Sequence, residues 1–402
     1  MTDGGIVVIG AGLQGSVVAL ELAQRGERVV LLEREPRPMQ GASRHNEGKI
    51  HLGFVYALDP TGTTRRRMLE GAVSFGPILD RLCGPLPWSR WRSEGFRYAV
   101  MPGSIASPEV LESAYNDLQR QFDELSTGLG DSSGYLGTVP TTLWRQSSSG
   151  RGRPVVGGAA VDPLYETCEM AIAPRALAAS IAERLCREPM IDVRCGASVT
   201  RARRTSNGMF ALAVRDTLGE SEIGADVVVN CSWGDRLRLD ESVGLAADGR
   251  AWSFRKKYSV IVRPPHPHPD LVPVTMVQGP FGDVVPWRDG TVYISWYSTA
   301  RTYFGSQPPA PCGDPRREAN RVAFRSLNAL MPLFPALEGS EIVSSRPGLI
   351  VAVGESDVDD PTSSLHSREE YGAEHHDGWW TVNPAKLTTA PLVGHGTAGR
   401  IA

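Results

Sequence analysis

Apolar positions along this chain follow two patterns, and the two occupy different stretches. Ile6 to Ile9, Val29 to Leu32, Ala225 to Cys231 and Trp379 to Val382 are short, nearly unbroken apolar runs, the pattern of strands buried on both faces of a parallel sheet. Tyr258 to Arg263, Asp283 to Pro286 and Thr291 to Tyr297 alternate or run β-branched instead. With Arg288-Asp289-Gly290 as a turn between the last two, they predict an antiparallel sheet. Helical spacing marks Thr64 to Leu79, Ser107 to Leu125, Ala173 to Arg187 and Arg316 to Leu330, and a weaker helix begins at Thr388. Ile191 to Cys195 and Phe210 to Val214 read as further strands, and the tryptophan-rich passage from Pro85 to Pro102 reads as strand-like. Thr127 to Gly137 and Arg145 to Gly158 have loop composition, and no internal repeat is present.

The first apolar run breaks at Gly10, Gly12 and Gly15, the spacing G-x-G-x-x-G. A helix with Val17, Val18, Leu20 and Leu22 on its apolar face follows, then Gly26, then the second run. In such a β-α-β unit Gly10 permits the tight turn and Gly12 lets the backbone approach a pyrophosphate at the helix N-terminus. Gly15 lets helix and strand pack closely. Glu33 closes the second strand 18 residues after Gly15, where a carboxylate can accept ribose hydroxyls. An acid at that position disfavours a 2′-phosphorylated ribose, although Arg34 follows it. Next comes GASRHNEGKIHLG, Gly41 to Gly53, too polar for a core strand and more regularly spaced at Ile50, His51 and Gly53 than a surface linker requires.

Bulk composition narrows the partners. A chain of 402 residues exceeds the size at which one core keeps growing, so two structural units are expected. A net charge of −3 gives no reason to expect nucleic acid or an anionic membrane. The six cysteines, Cys83, Cys168, Cys186, Cys195, Cys231 and Cys312, form no C-x-x-C pair and suit a reducing, cytoplasmic compartment. No apolar run is long enough to span a bilayer. His266 and His268 in PPHPHPD lie between prolines with no third ligand nearby, which favours an extended loop over a metal site. His375 and His376 read as solvated, and Trp252, Trp287 and Trp296 suit either a substrate pocket or the core of the antiparallel sheet. With no G-x-S-x-G and no Ser-His-Asp arrangement, a hydrolase is excluded.

Together the fingerprint, GASRHNEGKIHLG, ADVVVNCSWGD and the terminal KLTT resemble the D-amino-acid oxidase superfamily of FAD-dependent oxidoreductases, and within it the glycerol-3-phosphate dehydrogenase and L-2-hydroxyglutarate dehydrogenase branch. Ser43, Ile50, His51 and Gly53 match that branch's serine-containing segment ending in Ile-His-x-Gly. SRPGLIVAVGESDVDD matches its Arg-Pro segment, and Lys386 to Thr389 its flavin-ring motif. The resemblance implies an α/β fold in which a Rossmann-like FAD-binding domain is interleaved with an α+β substrate domain on an antiparallel sheet. The expected division is 1–60, 165–245 and 345–402 for FAD, with 61–164 and 246–344 for substrate. It implies non-covalently bound FAD contacted by Gly10, Gly12, Leu13, Gln14, Gly15, Glu33, Arg34, Gly41, Ala42, Ser43, Arg44, Trp233, Lys386, Leu387, Thr388 and Thr389. His51 is the candidate base. Arg346 is the candidate anchor of an anionic small-molecule substrate, or else a structural partner of Asp357, Asp359 or Asp360.

Three function classes follow. The first is oxidation of a CH–OH or CH–NH bond of a small polar metabolite by hydride transfer to flavin N5. The second is a flavin-dependent tailoring enzyme with a larger substrate, and the third a dinucleotide-binding protein without turnover. Three departures bear on the choice. Pro384 and Ala385 replace the family's Gly-Gly before the lysine. Val55 replaces an arginine that helps clamp glycerol 3-phosphate. Tyr293 or a neighbour stands on the strand where some amine-oxidising relatives carry a lysine.

Overall fold

The computed structural model describes residues 5–129, 134–245, 249–310, 313–368 and 370–402; Cys312 and part of the loop from Thr127 to Gly137 lie outside them. The four apolar runs meet in one sheet. Ile6–Ile9 lies between Val29–Glu33 and Val227–Asn230, parallel to both, with Ile6 opposite Val29 on one side and Val227 on the other. Ile191–Cys195 extends the sheet beyond Val29–Glu33. Trp379–Asn383 adds a parallel strand beyond Val227–Asn230, and Gly372–His376 closes that edge antiparallel, for 6 strands in all. One face is covered by the helix Leu13–Gln24, itself packed on Ala390–Ile401. The other face carries a three-stranded antiparallel sheet, Ser198–Arg204, Phe210–Asp216 and Gly219–Ala225, whose Phe210 and Leu212 share a core with Val7, Ile9 and Trp379.

A second, 9-stranded sheet gathers the alternating segments. Trp252–Arg263 pairs along its length with Glu341–Val353, a 13-residue strand, and carries Arg301–Gly305 and Val292–Trp296 one after the other along its opposite edge. Gly282–Pro286, Val274–Val277, Arg97–Val100, Leu164–Thr167 and Trp144–Gln146 continue the order. The tryptophan-rich passage is not all strand: Trp88–Trp91 forms a helical turn and only Arg97–Val100 pairs. Trp88 there is buried against Phe75 and Trp91, and local packing overrides β-propensity. Helix Thr63–Cys83, assigned from sequence to the substrate region, packs on Leu13–Gln24 and Ala390–Ile401 as well as on Pro108–Leu129. Among the described residues no helix is long and apolar enough to cross a membrane, and no His, Cys, Asp and Glu cluster is arranged to hold a metal.

Candidate active site

A cleft of about 350 Å³, within the usual range for small-molecule sites, runs between the two sheets. Part of its wall is backbone. Gly10 takes φ +95°, and a Cβ there would stand 2.8 Å from the carbonyl oxygen of Cys231. A Cβ on Gly15 would fall 1.9 Å from the carbonyl oxygen of Gly10, whereas one on Gly12 would meet only Ser43 Oγ, at 3.2 Å. The turn is thus closed behind Gly15 and open in front of Gly12, where the helix Leu13–Gln24 begins. Ser43 Oγ accepts the Leu13 N–H at 2.9 Å, tying the 41–53 segment to that turn. Glu33 accepts the N–H groups of Ala11 at 2.7 Å and Glu35 at 2.9 Å. Burial raises its carboxyl pKa against those two donors.

Another part of the wall is ionisable. Lys49 and His51, alternate residues of the 41–53 segment, are both buried. Lys49 Nζ pairs with Asp283 Oδ1 at 2.7 Å and lies over the Phe96 ring at 4.2 Å. His51 Nδ1 stands 3.7 Å from Oε1 of the fully buried Glu169, near enough for charge attraction and too far for a hydrogen bond; Nε2 is 4.0 Å from Glu47. Nδ1 is buried without a hydrogen-bond partner. Glu169 accepts the Leu52 N–H at 2.6 Å and the Tyr98 hydroxyl. Burial pushes the His51 pKa below the usual imidazole value and the Glu169 carboxylate only partly opposes this. For Glu169 burial acts upward, but His51, Lys49 and the Tyr98 hydroxyl together hold its pKa low. Lys257 and Lys386 complete the charged wall, with Glu47 and the buried Tyr293. Burial lowers the Lys257 pKa, and Asp283 and Glu47 resist the change.

Of the residues singled out from sequence, Gly10, Gly12, Leu13, Gln14, Glu33, Arg34, Gly41, Ala42, Ser43, His51, Trp233, Lys386 and Leu387 line the cleft. Arg34 is held by Asp235 at 2.7 Å, and Trp233 donates to the Leu349 carbonyl at 2.6 Å from a left-handed backbone, φ 53°. Gly15 lies behind the wall. Thr388 and Thr389 are buried beneath it: Thr388 Oγ1 accepts the His51 N–H at 2.8 Å, and Thr389 Oγ1 donates to the Lys386 carbonyl at 3.2 Å. Arg44 faces a neighbouring cavity instead. Arg346 stands apart from these. It pairs in register with Ser259, on the sheet face that bears Lys257, but lies outside the cleft lining and is exposed at the rim. Nor is it the partner of Asp357, which is taken by Arg255 at 3.0 Å and by Arg301.

Comparison with known proteins decides the family. The profile of the DAO family, FAD dependent oxidoreductase, matches residues 5–400. The chain belongs to this family. Over 147 residues it is 31% identical to a kynurenine 3-monooxygenase of Salinispora tropica, covering 34% of this chain and 32% of that protein. It is 25% identical over 333 residues to the tRNA 5-methylaminomethyl-2-thiouridine biosynthesis bifunctional protein MnmC of Burkholderia pseudomallei, covering 82% of this chain and 44% of that protein. The chain therefore matches less than half the length of either relative. Among solved structures, glycine oxidase from Geobacillus kaustophilus superposes with a TM-score of 0.65 at 20% identity, over 97% of this chain and 92% of that one. L-α-glycerophosphate oxidase from Mycoplasma pneumoniae with FAD bound gives 0.64 at 16%, over 100% and 95%. At those identities the likeness is one of fold.

As a DAO-family oxidoreductase the chain uses FAD, and its residues fit that group: an open Gly12 at a helix start, a carboxylate at the end of the second strand, and small residues at Gly41 to Ser43. Ala385, in place of a family glycine, keeps a glycine-like backbone with φ 59°. Its N–H donates to Asn383 Oδ1 at 3.1 Å. Sequence reasoning missed Glu47, Lys49, Glu169, Lys257 and Asp283. Only Lys49 had a local signal, since it sits two positions before His51 and so shares its face in an extended segment. Lys257 stands on the strand beside the one bearing Tyr293, so a cleft lysine exists where that strand offered none.

Proposed function

We propose that this DAO-family oxidoreductase oxidises the CH–NH or CH–OH bond of a small anionic metabolite, an amino acid or a related hydroxy acid. The observation that carries this reading is the buried His51–Glu169 arrangement, with three lysines, Lys49, Lys257 and Lys386, in the wall of the same cleft. Bound FAD, held without a covalent link, supplies the hydride acceptor at N5.

The chain's own residues do the rest. With its pKa depressed by burial, His51 is neutral near pH 7, and with Nδ1 buried toward Glu169 its other ring nitrogen, Nε2, on the side of the cleft-lining Glu47, is the one to take a proton from a substrate ammonium or hydroxyl. Glu169, kept charged and fixed by Leu52 and Tyr98, stabilises the imidazolium that results. Lys49 is engaged by Asp283, so Lys257, with no hydrogen-bonding partner among the described residues and its ammonium over the Tyr297 ring at 5.1 Å, is a cation available to a substrate carboxylate, with Lys386 the other in the wall. Val55 in place of the phosphate-clamping arginine argues against glycerol 3-phosphate.

The test is an anaerobic screen of amino acids, α-hydroxy acids and polyol phosphates for bleaching of the bound flavin. At least one amino or hydroxy acid should bleach it, and His51→Gln should slow bleaching about 100-fold while the protein stays yellow. If no small acid bleaches the flavin, or if His51→Gln bleaches as fast as the parent, the reading is wrong. Acid precipitation should leave the flavin in the supernatant.

A further inference from the structure

Beside the cleft lies a second cavity, of about 700 Å³, which the reading above leaves without a role. Arg44, Arg90, Arg92, Arg175 and Arg288 line it, and the only carboxylates in its wall are Glu94 and Asp289. Neither is paired with one of the five arginines. Glu94 is bound by Arg151 at 3.3 Å, and Asp289 Oδ1 accepts both the N–H and the hydroxyl of Thr291. Among the described residues Arg92 donates only to the Leu136 carbonyl, at 2.8 Å, and Arg175 only to Ser344 Oγ, at 3.4 Å. Arg44, Arg90 and Arg288 have no carboxylate partner there. Arginines elsewhere on this surface are commonly paired, as Arg187 is with Glu183, whereas these five line one concave site against two carboxylates and give it a net positive wall that favours an anion.

The PPHPHP run, Pro264 to Pro269, adds His266 and His268 to the wall as polar groups, on a backbone whose φ angles the prolines restrict. Asn46 belongs to the walls of both cavities. His45, next to it in the cleft lining, has a pKa lowered to about 4, by burial first and then by the fields of Arg346, Arg44 and Arg175. The positive field therefore reaches from the second cavity to the mouth of the cleft.

We propose that this cavity binds a phosphate-class polyanion, the phosphorylated handle of the substrate whose reacting carbon enters the cleft past Asn46. Guanidinium groups meet phosphate oxygens bidentately, and several of them around one concavity suit a group carrying more than one negative charge. The substrate is then an amino or hydroxy acid that carries a phosphorylated extension. This deepens the oxidase or dehydrogenase reading of the cleft and rests on it only for what the handle is attached to.

The test measures binding, not turnover. Inorganic pyrophosphate is titrated by calorimetry into the FAD-loaded protein, so that the place of the cofactor's own pyrophosphate is already filled. One saturable site per chain is expected, with citrate binding at least tenfold more weakly. The double variant Arg90→Gln/Arg288→Gln should weaken pyrophosphate at least tenfold and keep its flavin spectrum, and Arg187→Gln, remote on a surface helix, should change nothing. Pyrophosphate should also raise the His45 pKa followed by NMR. No saturable binding, binding untouched by the double variant, or citrate binding as tightly as pyrophosphate would each overturn the proposal. Because no substrate is turned over, pyrophosphate binding without any flavin bleaching in the earlier screen would sink the oxidation reading and leave the anion site standing without its link to an oxidised carbon.

Discussion

Around Gly10, Gly12 and Gly15 the cleft is shaped by the absence of side chains, whereas around His51 it is shaped by side chains that carry charge. The first wall comes from one continuous β-α-β segment, and its geometry is steric: a Cβ at Gly15 would lie 1.9 Å from a backbone oxygen that cannot move without opening the turn. The second wall is assembled from residues near 50, 169, 257, 283 and 386. Its geometry is electrostatic, with Lys49, His51, Glu169, Lys257 and Asp283 each setting the protonation of another. A steric wall should fail abruptly on small insertions and ignore pH, while an electrostatic wall should tolerate isosteric changes in fold and respond to pH.

The largest expected effect tests the steric half. Gly15→Ala should cost roughly 3 kcal/mol or more, because overpacking against backbone cannot be relieved by a rotamer change, and the protein should lose FAD. Thermal unfolding with absorbance at the flavin band checks this, and a yellow variant with unchanged Tm breaks the contrast. Next comes Glu169→Gln, nearly isosteric, which should destabilise by about 2 kcal/mol through the lost charged acceptor yet remain yellow. Since Glu169 raises the His51 pKa, removing its charge should move the acid limb of kcat/KM to lower pH, a shift that a purely structural role does not produce.

Stability should also depend on pH through the same wall. The folded His51 pKa lies below the ordinary 6.5, so between the two values the unfolded chain binds more protons. The stability concerned is complete above pH 6.5 and is lost as pH falls toward the folded value. Glu169, whose folded pKa is also depressed, adds a loss in the same direction below the ordinary carboxyl value of 4.5. Urea denaturation at pH 8, 6 and 5 should show stability falling with pH, less so in His51→Gln.

Two smaller effects sharpen the contrast. Lys257→Met should raise KM for an anionic substrate about tenfold or more, since it removes a charge-assisted contact inside the cleft. Arg346→Met at the exposed rim should change KM by no more than about fivefold. A larger effect at Arg346 would restore it as the anchor. The smallest belongs to the steric half: Ala385→Gly should stabilise by about 1 kcal/mol, because an L-residue held at φ 59° bears a left-handed penalty that glycine does not. Unchanged or reduced stability would mean that the turn Pro384 to Lys386 needs the methyl group.

How much could be read in advance follows the same division. The glycine turn, Glu33 and Ser43 were legible because their chemistry is local: spacing along the chain is spacing in space within one β-α-β unit. The buried parallel strands were legible from apolar runs with no polar face. The strands Ser198–Arg204 and Gly219–Ala225 were missed because charged residues fill their exposed positions. Trp88–Trp91 was misread because aromatic content is ambiguous between a strand and a packed helical turn.

By itself the sequence determined the dinucleotide turn, the two sheet characters and the presence of His51 in a segment that returns to that turn. Tertiary structure alone decided that Glu169 faces His51, that Lys257 and not Arg346 lines the cleft, and that Arg44 turns to a second cavity. The physical reason is range. Backbone turns and apolar periodicity are set by neighbours a few residues away, whereas a buried charge takes its meaning from whichever groups the fold brings within a few ångströms, and Glu169 and Asp283 each lie more than 100 residues from the segment they meet at Lys49 to Leu52.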